Sequence, residues 1–360
     1  MLNTNTPEVR FALETARAAS KLVAEVQAQM VTSALTKDDK SPVTVADYSA
    51  QALVGYLLDR TFPNDPLVGE EDSASLRDDK NRQSLEKIVR FVGKYADGAT
   101  NDTVCKWIDR GSAESGKRYW TVDPIDGTKG FLRGDQYAIA LALVTNGQVQ
   151  VGALGCPNLN IQYLLSDDNT AFKPGSGSIV LAVRGQGTWA APLNGGDFAR
   201  LKVSTRKDPS QARMLRSLEE AHTNVGQIGE LVTTLNVQAD PVGMDSQAKY
   251  AVLAAGKGDV LVRLISAKMP DYKEKIWDQG AGSIVVEEAG GRITDLHGRA
   301  LDFTAGRTLA HNRGILASNG ALHEARLRII NGRRNGCSQI ARLVAVKSGP
   351  RRLKRASLPS

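Results

Sequence analysis

Cysteine, histidine and aromatic side chains are all scarce in this chain. Its 360 residues include three cysteines and four histidines, and phenylalanine, tryptophan and tyrosine together make up 5%. Cys105, Cys156 and Cys337 are odd in number, far apart and without a CxxC pair. That spacing argues against a disulfide framework or a thiolate zinc site, and a reducing compartment is expected. His222, His297, His311 and His323 show no HxxxH spacing, which argues against a zinc hydrolase, and no GxSxG turn offers a serine nucleophile. Long apolar runs are missing too. The longest uncharged stretch, from Tyr137 onward, is broken by Asn146-Gly147-Gln148 and reads as a hairpin rather than a membrane span. The N-terminus has no basic segment followed by an apolar core, and Glu8 and Glu14 stand where a transit peptide avoids acids, so a cytoplasmic location is expected.

Net positive charge is absent from most of the chain as well, although the total is +7. The stretch from Asn331 to Ser360 holds eight basic residues and no acid, leaving 38 basic against 39 acidic residues elsewhere. The basic balance therefore belongs to a tail, where apolar periodicity fades and disorder is expected. It is poor support for nucleic-acid binding by the body, though a nucleotide sensor or nucleic-acid-binding protein stands as the non-enzyme alternative.

What is present is a regular succession of elements. Thr6-Pro7 has the form of an N-cap followed by proline at the first helical position. Leu13, Ala16, Ala19, Val23, Val26 and Met30 then recur at three- and four-residue steps, predicting a long amphipathic helix. A second helix is expected to open near Asp47 and end before Phe62-Pro63. Leu67-Val68 reads as a short buried strand, and Arg118 to Val122 as a strand ending in DPIDGT, with a polar helical insertion between them. Ala138 to Val144 and Val149 to Gly155 form an antiparallel pair, joined by Ile179 to Val183. Gly185-Gln186-Gly187 with Ala190 mimics a dinucleotide turn, but Pro192 and the glycines after it deny it a helix, and a hairpin is expected. Ala191 to Asp197 has the composition of a linker. Beyond it come a helix from about Asp278 to Glu288 and a strand from Ile315 to Ser318. The chain is read as residues 1–195, an N-terminal α+β half; 196–330, a C-terminal α/β half; and the tail 331–360.

Carboxylates gather at the ends of these strands. Glu70, Glu71 and Asp72 follow Leu67-Val68, Asp123 and Asp126 follow the Arg118 strand, and Asp278 opens the late helix. Any one of them alone is more readily a cap or a solvated turn. Several converging on one point would repel each other at high cost unless a cation neutralised them, and hard oxygen ligands suit Mg²⁺. In DPIDGT a rigid proline separates two aspartates, so both carboxylates can point at one metal pair, with the Ile125 carbonyl as a further ligand. Gly127 allows close backbone approach, and the Gly127 and Thr128 amides can donate to an anion if a helical turn begins there.

Six segments taken in order resemble the 3'(2'),5'-bisphosphate nucleotidases of the lithium-sensitive, Mg²⁺-dependent inositol monophosphatase superfamily. They are SPVTVADY from Ser41, VGEED from Val68, DPIDGTKGFLRG from Asp123, GCPNL from Gly155, DSQAKY from Asp245 and KIWDQGAGSIVVEEAGG from Lys275. DPIDGT alone would indicate only the superfamily. The sequence departs from the family's pattern at Gln279 and Gly280, where His and Ala are usual. The resemblance implies an α+β fold of alternating helix and sheet layers with the metal site between two halves. It also implies that Glu70, Asp123, the Ile125 carbonyl, Asp126 and Asp278 hold two or three Mg²⁺, and that Asp47 and Thr128 orient and deprotonate the attacking water. Substrate contacts implied are Gly127, Thr128, His222, Ser246, Lys249, Arg263 and Asp278. The last cations make chemical sense against a second, non-reacting phosphate. The implied reaction removes the 3' phosphate of adenosine 3',5'-bisphosphate, with 3'-phosphoadenylyl sulfate also accepted, Li⁺ inhibitory and sulfate assimilation as the setting. An inositol mono- or polyphosphate phosphatase is the alternative within the superfamily. Partners are small molecules, without membrane or nucleic acid, and the oligomeric state stays open.

Overall fold

The structure, a computed structural model, describes residues 2–31, 41–166, 177–216, 238–239, 241–266 and 268–324. His222 and the basic tail lie outside the described residues.

Helix α1 (Pro7–Met30) begins at the expected proline, although the Thr6 hydroxyl makes no capping bond. It buries Leu13, Ala16, Ala19, Val23 and Val26. Helix α2 (Ser41–Thr61) starts six residues before the expected Asp47. Proline is tolerated in a first helical turn, where its missing N–H would have no partner anyway, and Val45 and Ala46 just beyond are fully buried. Asp47 is thus inside a helix, not at its cap.

A seven-stranded sheet carries these helices on one face. Its strands are β1 (Leu67–Gly69), β2 (Arg118–Asp126), β3 (Ala138–Thr145), β4 (Gln148–Cys156), β5 (Ser178–Val183), β6 (Gly187–Pro192) and β7 (Ala199–Leu201), and they lie in that spatial order. Only the β1–β2 pair is parallel. The β3–β4 hairpin turns on Asn146 and Gly147, both at positive φ, as the right-handed twist of a two-residue turn requires. Between β1 and β2 the insertion forms α3 (Arg82–Val92) and α4 (Asn101–Asp109), packed on α2. Strand β7 continues the sheet past the linker-like residues.

Alternation in β3 separates the two faces. Ile139, Leu141 and Leu143 join the core under α1 and α2, and Ala138, Ala140 and Ala142 point the other way. The small side of that strand is met by α8 (Gly280–Glu288), whose Ile284 would lie 2.4 Å from a Cβ at Gly152 in β4. With α7 (Ala248–Ala254), α8 separates this sheet from a second one. Its five strands run in the order β11 (Arg292–Thr294), β12 (Ile315–Ser318), β10 (Val260–Arg263), β8 (Met214–Arg216) and β9 (Val242–Gly243). Among the described residues the layers are therefore helix, sheet, helix, sheet. Each fully buried leucine in them is worth about 1.5–3 kcal/mol. Short helices α5 (Thr128–Arg133) and α6 (Ile161–Leu165) complete the elements used below. No helix among the described residues is long and apolar enough to cross a membrane.

Candidate active site

A cavity of about 310 Å³ opens beside the end of β2, lined by Glu70, Asp123, Asp126, Asp278, Lys249 and Arg263. Ile125, Gly127, Thr128 and Ser246 line it too. Residues separated by some two hundred positions in sequence thus meet in one place. Asp47 is outside that lining but close enough for its charge to act on Asp123. No hydrogen bond joins Asp47 to Thr128 among the described residues, and Asp47 Oδ1 is buried without a partner.

The local fold explains the convergence. Because β1 runs parallel to β2 with Gly69 opposite Val122, the next residues of the two strands are Glu70 and Asp123. Gln51 of α2, fully buried, fixes the turn after β1. Its Nε2 donates to the Glu71 and Ile108 carbonyls at 2.6 and 2.9 Å, and its Oε1 accepts from the Glu71 amide at 3.0 Å. A Cβ on Gly69 would come within 2.5 Å of that amide oxygen and would force the Gln51 side chain off its partners. In β2, Asp123 faces Ala140 and Asp126 faces Ala138, so one extra residue bulges beside Pro124, which has no N–H to pair. The bulge lets both aspartates reach the cavity. Gly127 then turns the chain at φ +93°, with a would-be Cβ only 2.8 Å from Ser246 Cβ, and α5 starts at Thr128. Asp278 is not the first residue of α8, which opens at Gly280; it lies in the approach to it, beside Trp277.

Two further side chains tie these pieces together. The Gln247 amide donates to Asp126 Oδ2 at 2.7 Å, while its side chain donates to the Trp277 carbonyl at 3.0 Å and accepts from the Gly282 amide at 3.0 Å. Arg307 Nη1 donates to the Gly111 and Ala113 carbonyls at 3.0 and 3.2 Å, its Nη2 donates to the Gly69 carbonyl, and the guanidinium lies 5.1 Å from the Trp277 ring centre. The strand-like pairing of Glu274 to Ile276 with Arg307 to Leu309 brings Arg307 next to the Asp278 segment.

Crowding governs the electrostatics. Burial, then Glu70, Asp126, Asp278 and Asp47, push the Asp123 carboxyl well above the usual carboxylate range. Burial and then Glu71 and Glu70 do the same to Asp47. For Asp278 burial dominates, Arg263 opposes it, and Asp126 and Glu274 add to it. Glu70 is raised to about 7 by desolvation, Glu71 and Asp126, partly offset by a hydrogen bond with Asp123 and by Lys275. Burial lowers Lys249 to about 8 against the pull of Asp126, and its Nζ donates to the Met244 carbonyl at 3.2 Å. Burial also disfavours charge on Arg263, yet Glu274 at 3.1 Å and Asp278 at 3.9 Å outweigh it and hold the guanidinium charged.

Such a set fits a hard divalent cation. Its acidic donors are all carboxylate oxygens, Asp123 Oδ1 is buried with no hydrogen-bond partner, and the mutual repulsion is relieved by positive charge. Among the described residues no three acidic, histidine or cysteine side chains are spaced to hold an ion by themselves. Mg²⁺ keeps several waters and takes phosphate oxygens, so an open site with few protein ligands per ion suits it.

Gln51, Gln247, Glu274 and Arg307 were not singled out by the sequence, and Gln279 only as a departure from the family pattern with no role attached. Gln247 and Gln279 lie inside segments that were, but a neutral amide beside charged neighbours carries no signal of its own. Arg307 acts on backbone carbonyls, which leave no pattern in the sequence at all.

The layered fold is that of inositol monophosphatases. An inositol monophosphatase from Zymomonas mobilis superposes with a TM-score of 0.60, covering 92% of this chain and 100% of that one at 19% identity. The family model described as the inositol monophosphatase family matches residues 5–334, and the chain belongs to that family. Within it, a 3'(2'),5'-bisphosphate nucleotidase of Schizosaccharomyces pombe is 41% identical over 336 residues, covering 88% of this chain and 93% of that protein. A 3'(2'),5'-bisphosphate nucleotidase of Oryza sativa is 40% identical over 336 residues, covering 90% and 93%.

Proposed function

We propose that the protein is a Mg²⁺-dependent phosphatase that hydrolyses adenosine 3',5'-bisphosphate to AMP and phosphate, and also accepts 3'-phosphoadenylyl sulfate. The observation that carries this reading is the meeting of Glu70, Asp123, Asp126 and Asp278 in one cavity that also holds two placed cations, Lys249 and Arg263. A monophosphate needs only the carboxylate side of such a site. A second phosphate, not hydrolysed, is the anion that the buried Lys249 and the part-buried Arg263 can bind from the cavity wall. The high identity to relatives named for a bisphosphate nucleotide supports the same choice.

In this reading Glu70, Asp123, the Ile125 carbonyl, Asp126 and Asp278 hold two or three Mg²⁺. Bound there, Mg²⁺ supplies positive charge to the phosphoryl oxygens and acidifies a water. Asp47 and Thr128 orient the attacking water opposite the leaving 3' oxygen, and Asp47 takes its proton, a role to which a carboxyl with raised proton affinity is suited. Gly127 and Ser246 shape the wall on which the substrate lies, and Lys249, Arg263 and His222 bind the nucleotide. Two buried free thiols, Cys105 and Cys156, support a reducing compartment, the cytoplasm.

Steady-state phosphate release from adenosine 3',5'-bisphosphate with Mg²⁺, against inositol 1-phosphate and with added Li⁺, tests the proposal. The nucleotide is expected to be the better substrate and Li⁺ inhibitory. Faster hydrolysis of inositol 1-phosphate would overturn the substrate assignment.

A further inference from the structure

A buried polar chain runs from α7 to the cavity wall and ends on Arg263. The Tyr250 hydroxyl donates to Gln279 Oε1 at 2.5 Å, Gln279 Nε2 donates to Glu274 Oε2 at 3.0 Å, and the same carboxylate oxygen takes Arg263 Nη2 at 3.1 Å. Gln279 is wholly buried and Glu274 nearly so. The order of donors is fixed: with the tyrosine hydroxyl feeding the amide oxygen, the amide NH₂ faces the carboxylate. Gly282 makes room for the chain, since a Cβ there would come within 2.0 Å of the Tyr250 ring. The Glu274 main chain is pinned as well, its carbonyl accepting from the Leu309 amide at 2.9 Å.

None of Glu274, Gln279 or the Tyr250 hydroxyl has a part in the chemistry derived above. Their common endpoint does. Arg263 Nη2 stands between two carboxylates, Glu274 and, at 3.9 Å, Asp278. Glu274 holds the guanidinium from behind the cavity wall, whereas Asp278 lines the cavity itself; were Glu274 uncharged, the nearest anion would be Asp278, and a fork closed on it would turn its donors away from the space a phosphate would fill.

We propose that Glu274, oriented by Gln279 and Tyr250, is a positioning residue that anchors Arg263 on the cavity wall and keeps it from closing onto Asp278. The guanidinium then stays available to the substrate phosphate that is not hydrolysed. This rests on the bisphosphate reading given above and deepens it, because it assigns discrimination for the second phosphate to a buried carboxylate that meets no substrate atom.

The test is Glu274→Gln in the full chain, with Arg263→Ala and the double variant. Calorimetric titration of AMP without Mg²⁺ is expected to show affinity about tenfold weaker in Glu274→Gln. The KM for adenosine 3',5'-bisphosphate is expected to rise about tenfold relative to that for adenosine 3'-monophosphate, with the change in KM rather than kcat. Adding Glu274→Gln to Arg263→Ala is expected to cost nothing further, since the two act as a unit. Gln279→Met, which keeps the volume, is expected to move the same KM ratio in the same direction, and decides the matter if Glu274→Gln fails to fold. Equal losses on both substrates, additive losses in the double variant, or unchanged AMP affinity would overturn the proposal. Failure of the bisphosphate reading itself is distinct: the wild type would then show no preference for the second phosphate, and Arg263→Ala would remove none.

Discussion

Removing the metal should leave the folded protein with a pH dependence of known sign. A carboxyl whose folded pKa exceeds its unfolded value binds its proton more tightly when folded. The stability this brings is complete below the unfolded value and gone once the pH has risen past the folded one. For Glu70 the window runs from 4.5 to about 7. At about 1.4 kcal/mol per unit the shift sets a ceiling of about 3 kcal/mol, and because the Glu70 side chain opens to solvent at the cavity mouth the effective figure is about 1 kcal/mol. That is about 2 °C in Tm for a chain of this size. Asp47, Asp123 and Asp278, all raised, add to it with the same sign. One group elsewhere acts in the opposite sense. His323, lowered to about 4 by burial, weakens the fold as pH falls below 6.5, but it does so with or without Mg²⁺. The quantity to measure is therefore the rise in Tm on replacing EDTA with excess Mg²⁺, by scanning calorimetry at about pH 5.5 and about pH 8. The Mg²⁺-induced rise is expected to be several degrees larger at the higher pH, where the ion meets ionised carboxylates instead of displacing protons, and Asp123→Asn is expected to flatten the difference. An equal or larger rise at the lower pH would refute the argument from crowded carboxylates.

Asp126→Asn removes one charge from the cluster while keeping its shape, and phosphate release at saturating Mg²⁺ is expected to fall by about 10²-fold or more; near-normal turnover contradicts its role. Lys249→Ala is expected mainly to raise KM for the bisphosphate nucleotide. In the wild type, binding of AMP should weaken as the pH climbs through about 8, where Lys249 loses its charge, and a flat profile through pH 9 would remove that lysine from the phosphate site. Gly127→Ala meets both a positive φ and the Ser246 side chain, so it should cost about 1–3 kcal/mol in denaturant unfolding and abolish turnover. Retention of both would show that the turn relaxes freely.

The sequence declared its helices and central strands because their signals are local. Alternation in Ala138 to Val144 and the Asn146-Gly147 turn need no knowledge of the rest of the chain. The start of α2 was misplaced because a polar segment ahead of Pro42 reads as loop, whereas burial of Val45 and Ala46 against α1 draws the helix back to Ser41. DPIDGT was legible as a pair of converging carboxylates, but the bulge beside Pro124 that aims them is a property of pairing with β3. Gln51, Gln247, Glu274 and Arg307 were invisible for one shared reason. Gln51, Gln247 and Arg307 hold backbone in place across twenty or more residues and Glu274 meets Arg263 from the far side of a loop, and such contacts have no periodicity or spacing to read.

The three-carbonyl grip of Arg307 has a mechanical consequence. By holding the carbonyl just before Glu70 from a segment paired to the approach to Asp278, it acts as a strut that sets the gap between these two carboxylates before any ligand arrives. A tie of that kind limits how far ions and substrate must draw the two segments together, and so how much of their binding energy goes into closing the cleft rather than into choosing among phosphate esters.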